Sequence, residues 1–293
     1  NRRVKLPAGL GWVRFRKSRE IVGTVKNCTV GFEGGRWFIS FQTEREVPEP
    51  VHPSASMIGV DMGIARFLTL SDGTFIEPAS PFKANQAKLA RAQRALARKV
   101  KFSANWHKQK AKINRLHTRI ANLRRDTLHK ASTQISNNHA MIVIEDLKVG
   151  NMSRSAKGNV DNPGVSVKAK SGLNRSILDQ GWYEFRRQLE YKQAIRGGEV
   201  LVVPAHHTSQ TCPRCQHVSP ENRTSQARFR CVQCGFEEHA DRVGAINIKA
   251  RGHRVLACGE SGLPDSEKQE PVRNREEVAP SAAHAASGIP HRR

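Results

Sequence analysis

Four cysteines in two tight pairs constrain this chain more than any other feature. Cys212-Pro-Arg-Cys215 and Cys231-Val-Gln-Cys234 stand fifteen residues apart. Each pair closes a knuckle that presents two thiolates, and two knuckles complete a tetrahedral structural zinc site with no open coordination position. A segment this short cannot bury a core of its own, so the zinc ribbon expected at residues 206–238 is stapled by its ion. Redox dithiols seldom come doubled at this spacing. His206, His207 and His217 lie close by, but four thiolates fill the site and leave them as polar loop residues. The ribbon also carries Arg214, Arg223, Arg228 and Arg230, so two readings stay open: contact with nucleic acid, or a staple alone. Cys28 and Cys258 are read as free thiols, and tight cysteine pairs of this kind suit a reducing compartment, the cytoplasm.

A chain of 293 residues has room for one sizeable core with insertions, and length alone suggests about two domains. Its 49 Lys and Arg against 26 Asp and Glu leave a formal charge of +23, far beyond what solubility needs. Such a surface calls for a polyanion, nucleic acid first. A membrane surface would want a basic amphipathic helix with a bulky apolar face, or a long apolar span, and neither is legible. No signal-peptide core opens the chain. It begins at Asn1 and enters a β pattern at once, which reads as a fragment or a processed product.

Residues 1–46 read as short strands around turns, with Gly34-Gly35 as a hairpin signal, and suggest a piece of a small β-barrel within a segment 1–50. After a proline-bearing link, residues 57–73 read as two tightly joined strands ending in a turn at Asp72-Gly73. Lys83 to Lys130 holds 15 Lys and Arg against one acid, Asp126. The spacing of Leu89, Ala92, Leu96 and Val100, and of Ile113, Leu116, Ile120 and Leu123, predicts an antiparallel helical hairpin over 83–135. Its one-sided charge points to a surface that tracks phosphates. Residues 141–144 form an apolar run suited to a strand buried on both faces, followed by a polar loop at 150–172, a helix at about 176–195 and a strand at 200–203. The alternation argues for an α/β core over 51–205. Residues 239–258 complete it, and 259–293 lack periodicity and read as a disordered tail.

Three acids stand out within this frame. Asp61 sits in an apolar strand, where Asp is disfavoured, between Gly59 and Gly63. Glu145 ends a buried strand, the edge at which α/β sheets present ligand-binding groups. Asp241, taken alone, reads as an acid at a helix start, favoured by the helix dipole. Together they could hold two divalent ions for phosphodiester hydrolysis, which requires carboxylates converging from separate segments. Hard oxygen ligands and a phosphate substrate favour magnesium. No phosphate-binding G-x-x-x-x-G-K-[ST] loop, no G-x-G-x-x-G and no G-x-S-x-G elbow is present, so the usual marks of nucleotide hydrolysis, dinucleotide binding and serine esterase chemistry are missing.

The stretches Ile58–Gly73, Ile142–Met152 and His239–Ile248 resemble the three RuvC motifs of the TnpB (OrfB) family, relatives of type V CRISPR effectors. The ribbon falls between the second and third, as in the family, and the likeness covers nearly all of residues 1–258. The resemblance implies an RNase H-like (RuvC) core with the hairpin and ribbon as insertions and a partial wedge-like barrel in front. It implies a magnesium-dependent DNA endonuclease, guided by an RNA from the end of a mobile element in a prokaryote and nucleoid-associated when on DNA. By motif, the catalytic acids are Asp61, Glu145 and Asp241, and the zinc ligands are Cys212, Cys215, Cys231 and Cys234. Residues 172–182 also look family-like, with no catalytic role assigned. Two departures stand out: the family's helical recognition lobe has no counterpart, and His239 and Val243 replace a common acid and a common Asn. The missing lobe keeps an inactive nucleic-acid-binding remnant or regulator as a rival, and a strand-transferring transposase is a third reading. Oligomeric state is not legible.

Overall fold

The computed structural model describes residues 2–7 and 9–258. The expected tail lies outside them, as does the side chain of Cys258. In the N-terminal segment, β1 (Arg3–Leu6) pairs antiparallel with β2 (Gly11–Arg14), and β3 (Thr24–Glu33) with β4 (Arg36–Glu44). The β3–β4 turn is Gly34-Gly35, both at positive φ (59° and 85°), as a tight hairpin of this hand requires. The expected barrel piece is therefore two separate two-stranded ladders. Every residue of β3 is exposed, Val30 and Phe32 included, so no barrel interior is closed over the hairpin among the described residues. A contact between the Phe15 and Phe41 rings, 5.2 Å apart, links the two ladders.

The core sheet has five strands. β5 (Met57–Met62), β6 (Leu68–Leu70) and β7 (Phe75–Ile76) form an antiparallel meander, one strand longer than the sequence suggests. Beyond β5 come β8 (Met141–Glu145) and β9 (Glu199–Val203), both parallel to it, giving the order β7-β6-β5-β8-β9. Alternation along the strands sorts side chains to two faces. Ile58, Val60, Met62, Ile142 and Ile144 enter the main core, while Val143 and Val203 enter a smaller cluster on the opposite face.

Helices cover both faces. α1 (Pro81–Ala97) and α2 (Ala104–Asn138) make the predicted hairpin, with Leu89, Ile113 and Ile120 buried in its seam. The seam is shorter than the apolar stripe. Val100 lies past the end of α1 and Leu123 faces out, so both are exposed. The second half of α2 then leaves the hairpin and packs Leu128, Ala131 and Ile135 against the sheet. Short α3 (Val149–Met152) follows β8. The single helix expected at 176–195 is two, α4 (Val167–Gln180) and α5 (Trp182–Arg196), because Gly181 adopts φ 74° and interrupts the ladder. α4 also starts well inside the expected polar loop. Phe185 and Leu189 of α5 join the main core.

Two polar clamps hold this face. Asp179 is buried at the end of α4, where it accepts the Phe82 and Lys83 backbone N–H groups that open α1 and pairs with Arg124 of α2 at 2.6 Å. That role accounts for one residue of the family-like 172–182 stretch. Lys192 of α5 donates to the His129 carbonyl, Ser132 Oγ and Thr133 Oγ1 at 2.6–2.9 Å, so its buried ammonium is fully paired.

The other face belongs to α6 (Ala240–Cys258), whose first turn holds Asp241 as expected. Its backbone lies directly on β5 and β8. A Cβ at Gly59 would stand 2.2 Å from the Ala245 carbonyl oxygen, and one at Gly252 would stand 2.5 Å from Val143. Among the described residues no helix is long and apolar enough to cross a membrane.

Substituting Gly59 by Val should therefore lift α6 from the sheet and lower the unfolding free energy by about 3 kcal/mol or more. Gly172→Ala, inside α4 with nothing within 4 Å of its added methyl, should instead be stabilising by about 0.5–1 kcal/mol. Urea denaturation of both variants checks the contrast.

A candidate metal centre beside a four-thiol ribbon

Asp61 and Glu145 stand on neighbouring parallel strands. The register pairs Val60 with Ile144, so the next residue of each strand lies side by side, at the carboxyl ends and on the α6 face. Asp241 reaches the same place from the first turn of α6. Gly244, one turn further on, would bring a Cβ to 3.3 Å from Asp61 Oδ2, so a side chain there would press on that carboxylate.

The electrostatics of the three acids report their convergence. Burial, then the charges of Glu145 and Asp241, push the Asp61 carboxyl up to about 7, against smaller lowering effects from Arg223 and the Met62 backbone N–H. Burial also raises Glu145, opposed by a hydrogen bond from Thr208 Oγ1 and by the charge of Arg251. Asp241 has Arg223 Nη2 at 3.9 Å and His239 Nδ1 at 3.8 Å. The same His239 nitrogen accepts the Asp241 backbone N–H at 3.2 Å. Mutually repelling, partly desolvated carboxylates suit a divalent cation, which would replace the repulsion with coordination.

The ribbon lies between β9 and α6. Cys212 and Cys234 Sγ are 3.6 Å apart, Cys215 and Cys231 Sγ 3.5 Å, and all four fall within 4.8 Å of one another. A tetrahedral zinc with Zn–S of about 2.3 Å needs sulfurs about 3.8 Å apart, so the set fits. Each knuckle closes the same way, with Gln216 N–H donating to the Cys212 carbonyl and Gly235 N–H to that of Cys231, both acceptor turns ending at positive φ. Among the described residues this is the one cluster of three or more such side chains at single-ion spacing, and no histidine belongs to it. His207 bonds Gln210 instead. The three carboxylates are spread more widely, which is compatible with two ions sharing them.

Small strands β10 (Arg228–Arg230) and β11 (Glu237–His239) complete the ribbon. Its core of Cys212, Phe229 and Cys231 includes Ala240 and Val243 of α6, so ribbon and helix start are one packed unit. α6 also grips the chain entering the ribbon. Asn247 donates to the Thr208 and Thr211 carbonyls at 2.7 Å, and Arg251 to those of Pro204 and His206. Thr208, so held, reaches Glu145.

All three predicted acids are thus brought to one end of the sheet, and all four cysteines to one point. Thr208, Asn247 and Arg251 escape sequence reasoning because their partners lie 39 to 63 residues away for the contacts that matter. Arg223 stands out in the sequence only as a basic ribbon residue. Its place inside the ribbon, just ahead of the third acid, is the one signal that could have linked it to the carboxylates.

A mixed sheet with acids gathered at its strand ends, and a four-thiol ribbon set before the last helix, defines a ribbon-bearing α/β protein with a candidate divalent-metal centre. Residues 40–156 match the family OrfB_IS605, described as a probable transposase, and residues 182–248 match the Cas12f1-like TNB domain. "Putative RNA-guided DNA endonuclease InsQ" of Escherichia coli (strain K12) is 63% identical over 275 residues, covering 93% of this chain and 68% of that protein. A relative from Streptomyces pristinaespiralis, also named as an RNA-guided DNA endonuclease of that provisional kind, is 35% identical over 257 residues, 87% of this chain and 59% of its own. The CRISPR-associated endodeoxyribonuclease Cas12f1 of Sulfoacidibacillus thermotolerans is 24% identical over 226 residues, 73% of this chain and 50% of its own. The chain belongs to the OrfB (TnpB) family, and it spans roughly half to two-thirds of the length of these relatives.

Two outcomes follow for the site. In metal-free protein Asp61→Asn should gain stability over the parent at pH 8. A carboxyl raised to about 7 in the folded state holds its proton where the unfolded chain has lost it, so the parent loses stability as pH rises from about 4 to 7. The advantage of the Asn variant should therefore be complete above about pH 7 and absent below about pH 4 in thermal melts. Separately, Cys212→Ser should lose one zinc per chain by metal analysis and lower the melting temperature, because ribbon and α6 share a core.

Proposed function

We propose that the chain is the nuclease portion of an RNA-guided DNA endonuclease of the TnpB type, with Asp61, Glu145 and Asp241 as its catalytic acids. The observation that carries this reading is the placing of Asp61 and Glu145 side by side at the ends of two parallel strands, under the first turn of α6 that holds Asp241. The five-stranded order, with a meander on one side of β5 and two parallel strands on the other, supports an RNase H-like (RuvC) core at 51–205 and 239–258 with hairpin and ribbon inserted. The three carboxylates offer hard oxygen donors to a divalent ion, and magnesium is the proposed cofactor, two ions in all. When bound there it would supply an activated water for in-line attack on phosphorus and charge relief for the leaving 3′ oxygen.

The chain's own residues hold this arrangement in place. Thr208 orients Glu145 by donating to it, and Asn247 and Arg251 fix the backbone that carries Thr208. Arg223 balances the Asp241 charge from the ribbon side. Zinc in the four thiols closes the ribbon and so sets the start of α6. The charge of +23 suits two polyanionic partners, a DNA target and a guide RNA from the element end. A cytoplasmic location fits both the paired thiols and these partners.

The test incubates the full chain with RNA transcribed from its element end, matched DNA and magnesium. Cleavage is expected. Asp61→Ala, Glu145→Ala and Asp241→Ala should each reduce it by more than about a hundred-fold, and Thr208→Val by about 10- to 100-fold. Cutting that persists in the Asp61 variant would overturn the assignment. Tight binding without cutting points to a binding remnant, and joined rather than cut products to a transposase.

A further inference from the structure

The α1–α2 hairpin ends in an aromatic pair that no core uses. Phe102 is 68% exposed and sits at φ 67°, a left-handed conformation that bulky residues rarely adopt. Its ring meets that of Trp106 at a centroid distance of 5.4 Å. Ser103 caps α2 by accepting the Trp106 backbone N–H at 3.2 Å, so the turn that presents the indole is fixed. Lys101 Nζ lies 5.1 Å from the Phe102 centroid and Lys110 Nζ 5.0 Å from that of Trp106. No acid occurs between Lys83 and Arg125 to offset them.

An exposed ring backed by a half-buried one, among unopposed cations, has the makings of a site for unpaired nucleotides. Ammonium groups follow the phosphates, and aromatic faces receive the bases. Paired bases keep their faces stacked inside a duplex, and an acidic peptide would use the cations while leaving the rings idle. We propose that Phe102 and Trp106 form a base-stacking platform for single-stranded nucleic acid at the hairpin tip. The site is separate from the three carboxylates and stands whether or not they cut DNA. In an endonuclease it would hold a displaced strand or an unpaired stretch of RNA.

The test measures anisotropy of labelled oligothymidylate, oligouridylate and an abasic strand of equal length, with the full chain at about 0.15 M salt. The parent should prefer strands with bases. Trp106→Ala and Phe102→Ala should bind the thymidylate or uridylate strand about 5- to 100-fold more weakly, leave abasic binding unchanged and so erase the preference. The strand showing the larger loss identifies DNA or RNA as the occupant. Trp106→Phe should restore most of the preference, and the binding is measured without divalent cation, which separates this site from the nuclease reading. Unchanged circular dichroism shows that the variants fold. Equal loss on abasic and base-bearing strands, or no loss on either, would overturn the platform, as would an acidic peptide competing equally against parent and Trp106→Ala.

Discussion

The seating of α6 on β5 and β8 is the contact on which the rest depends. Helices usually keep 8 to 10 Å from what they pack against because side chains intervene. Here Gly59 and Gly252 remove those side chains, and the helix backbone rests on the sheet. That approach brings Asp241 to the strand ends, leaves Gly244 beside Asp61, and places Asn247 and Arg251 over the segment that carries Thr208. One close contact thereby sets both the third acid and the support of the second.

Two groups of acidic side chains, the carboxylates and the thiols, meet the first turns of α6, and within each group the charged forms repel one another. Among the carboxylates, burial and then the charges of Glu145 and Asp241 push Asp61 up to about 7. The thiols crowd within 4.8 Å, and although the His217 backbone N–H favours its thiolate, desolvation and hydrogen bonds with the other three thiols push Cys215 up to about 12. A cation bound in either cluster would couple folding of this end of the molecule to its binding. The ribbon is packed on Ala240 and Val243, so an ion in the thiols acts on α6 and, through it, on the acids.

The opposite face of the sheet is held by different means. Apolar packing of α2 and α5 supplies most of the burial, while Asp179 ties helices through its ion pair with Arg124 and Lys192 through hydrogen bonds to three uncharged oxygens. α2 serves two parts of the fold: one half lies against α1 in the basic hairpin and the other covers the sheet. The hairpin is therefore a rigid extension of the core, able to hold a charged and aromatic tip at a fixed place.

Much of this was legible in the residue order. The cysteine pairs, the buried strands at 57–62 and 141–145, the basic hairpin and the chemistry of Asp61 and Glu145 follow from local patterns, because strand alternation, helix period and knuckle spacing are written in neighbouring residues. The break at Gly181 carried a local sign, a glycine within a helical pattern, but not its outcome, since an isolated glycine is tolerated in many helices. The openness of the N-terminal ladders was not legible either, because hairpins predict pairing and not closure. By itself the sequence determined which elements form and which residue types are available for metal and nucleic acid. Only the tertiary structure decided that Asp241, read alone as a helix-start acid, faces Asp61, and that Thr208 and Arg223 serve the acids. Those relations depend on a helix backbone touching a sheet, a contact between segments far apart in the chain for which no local pattern stands.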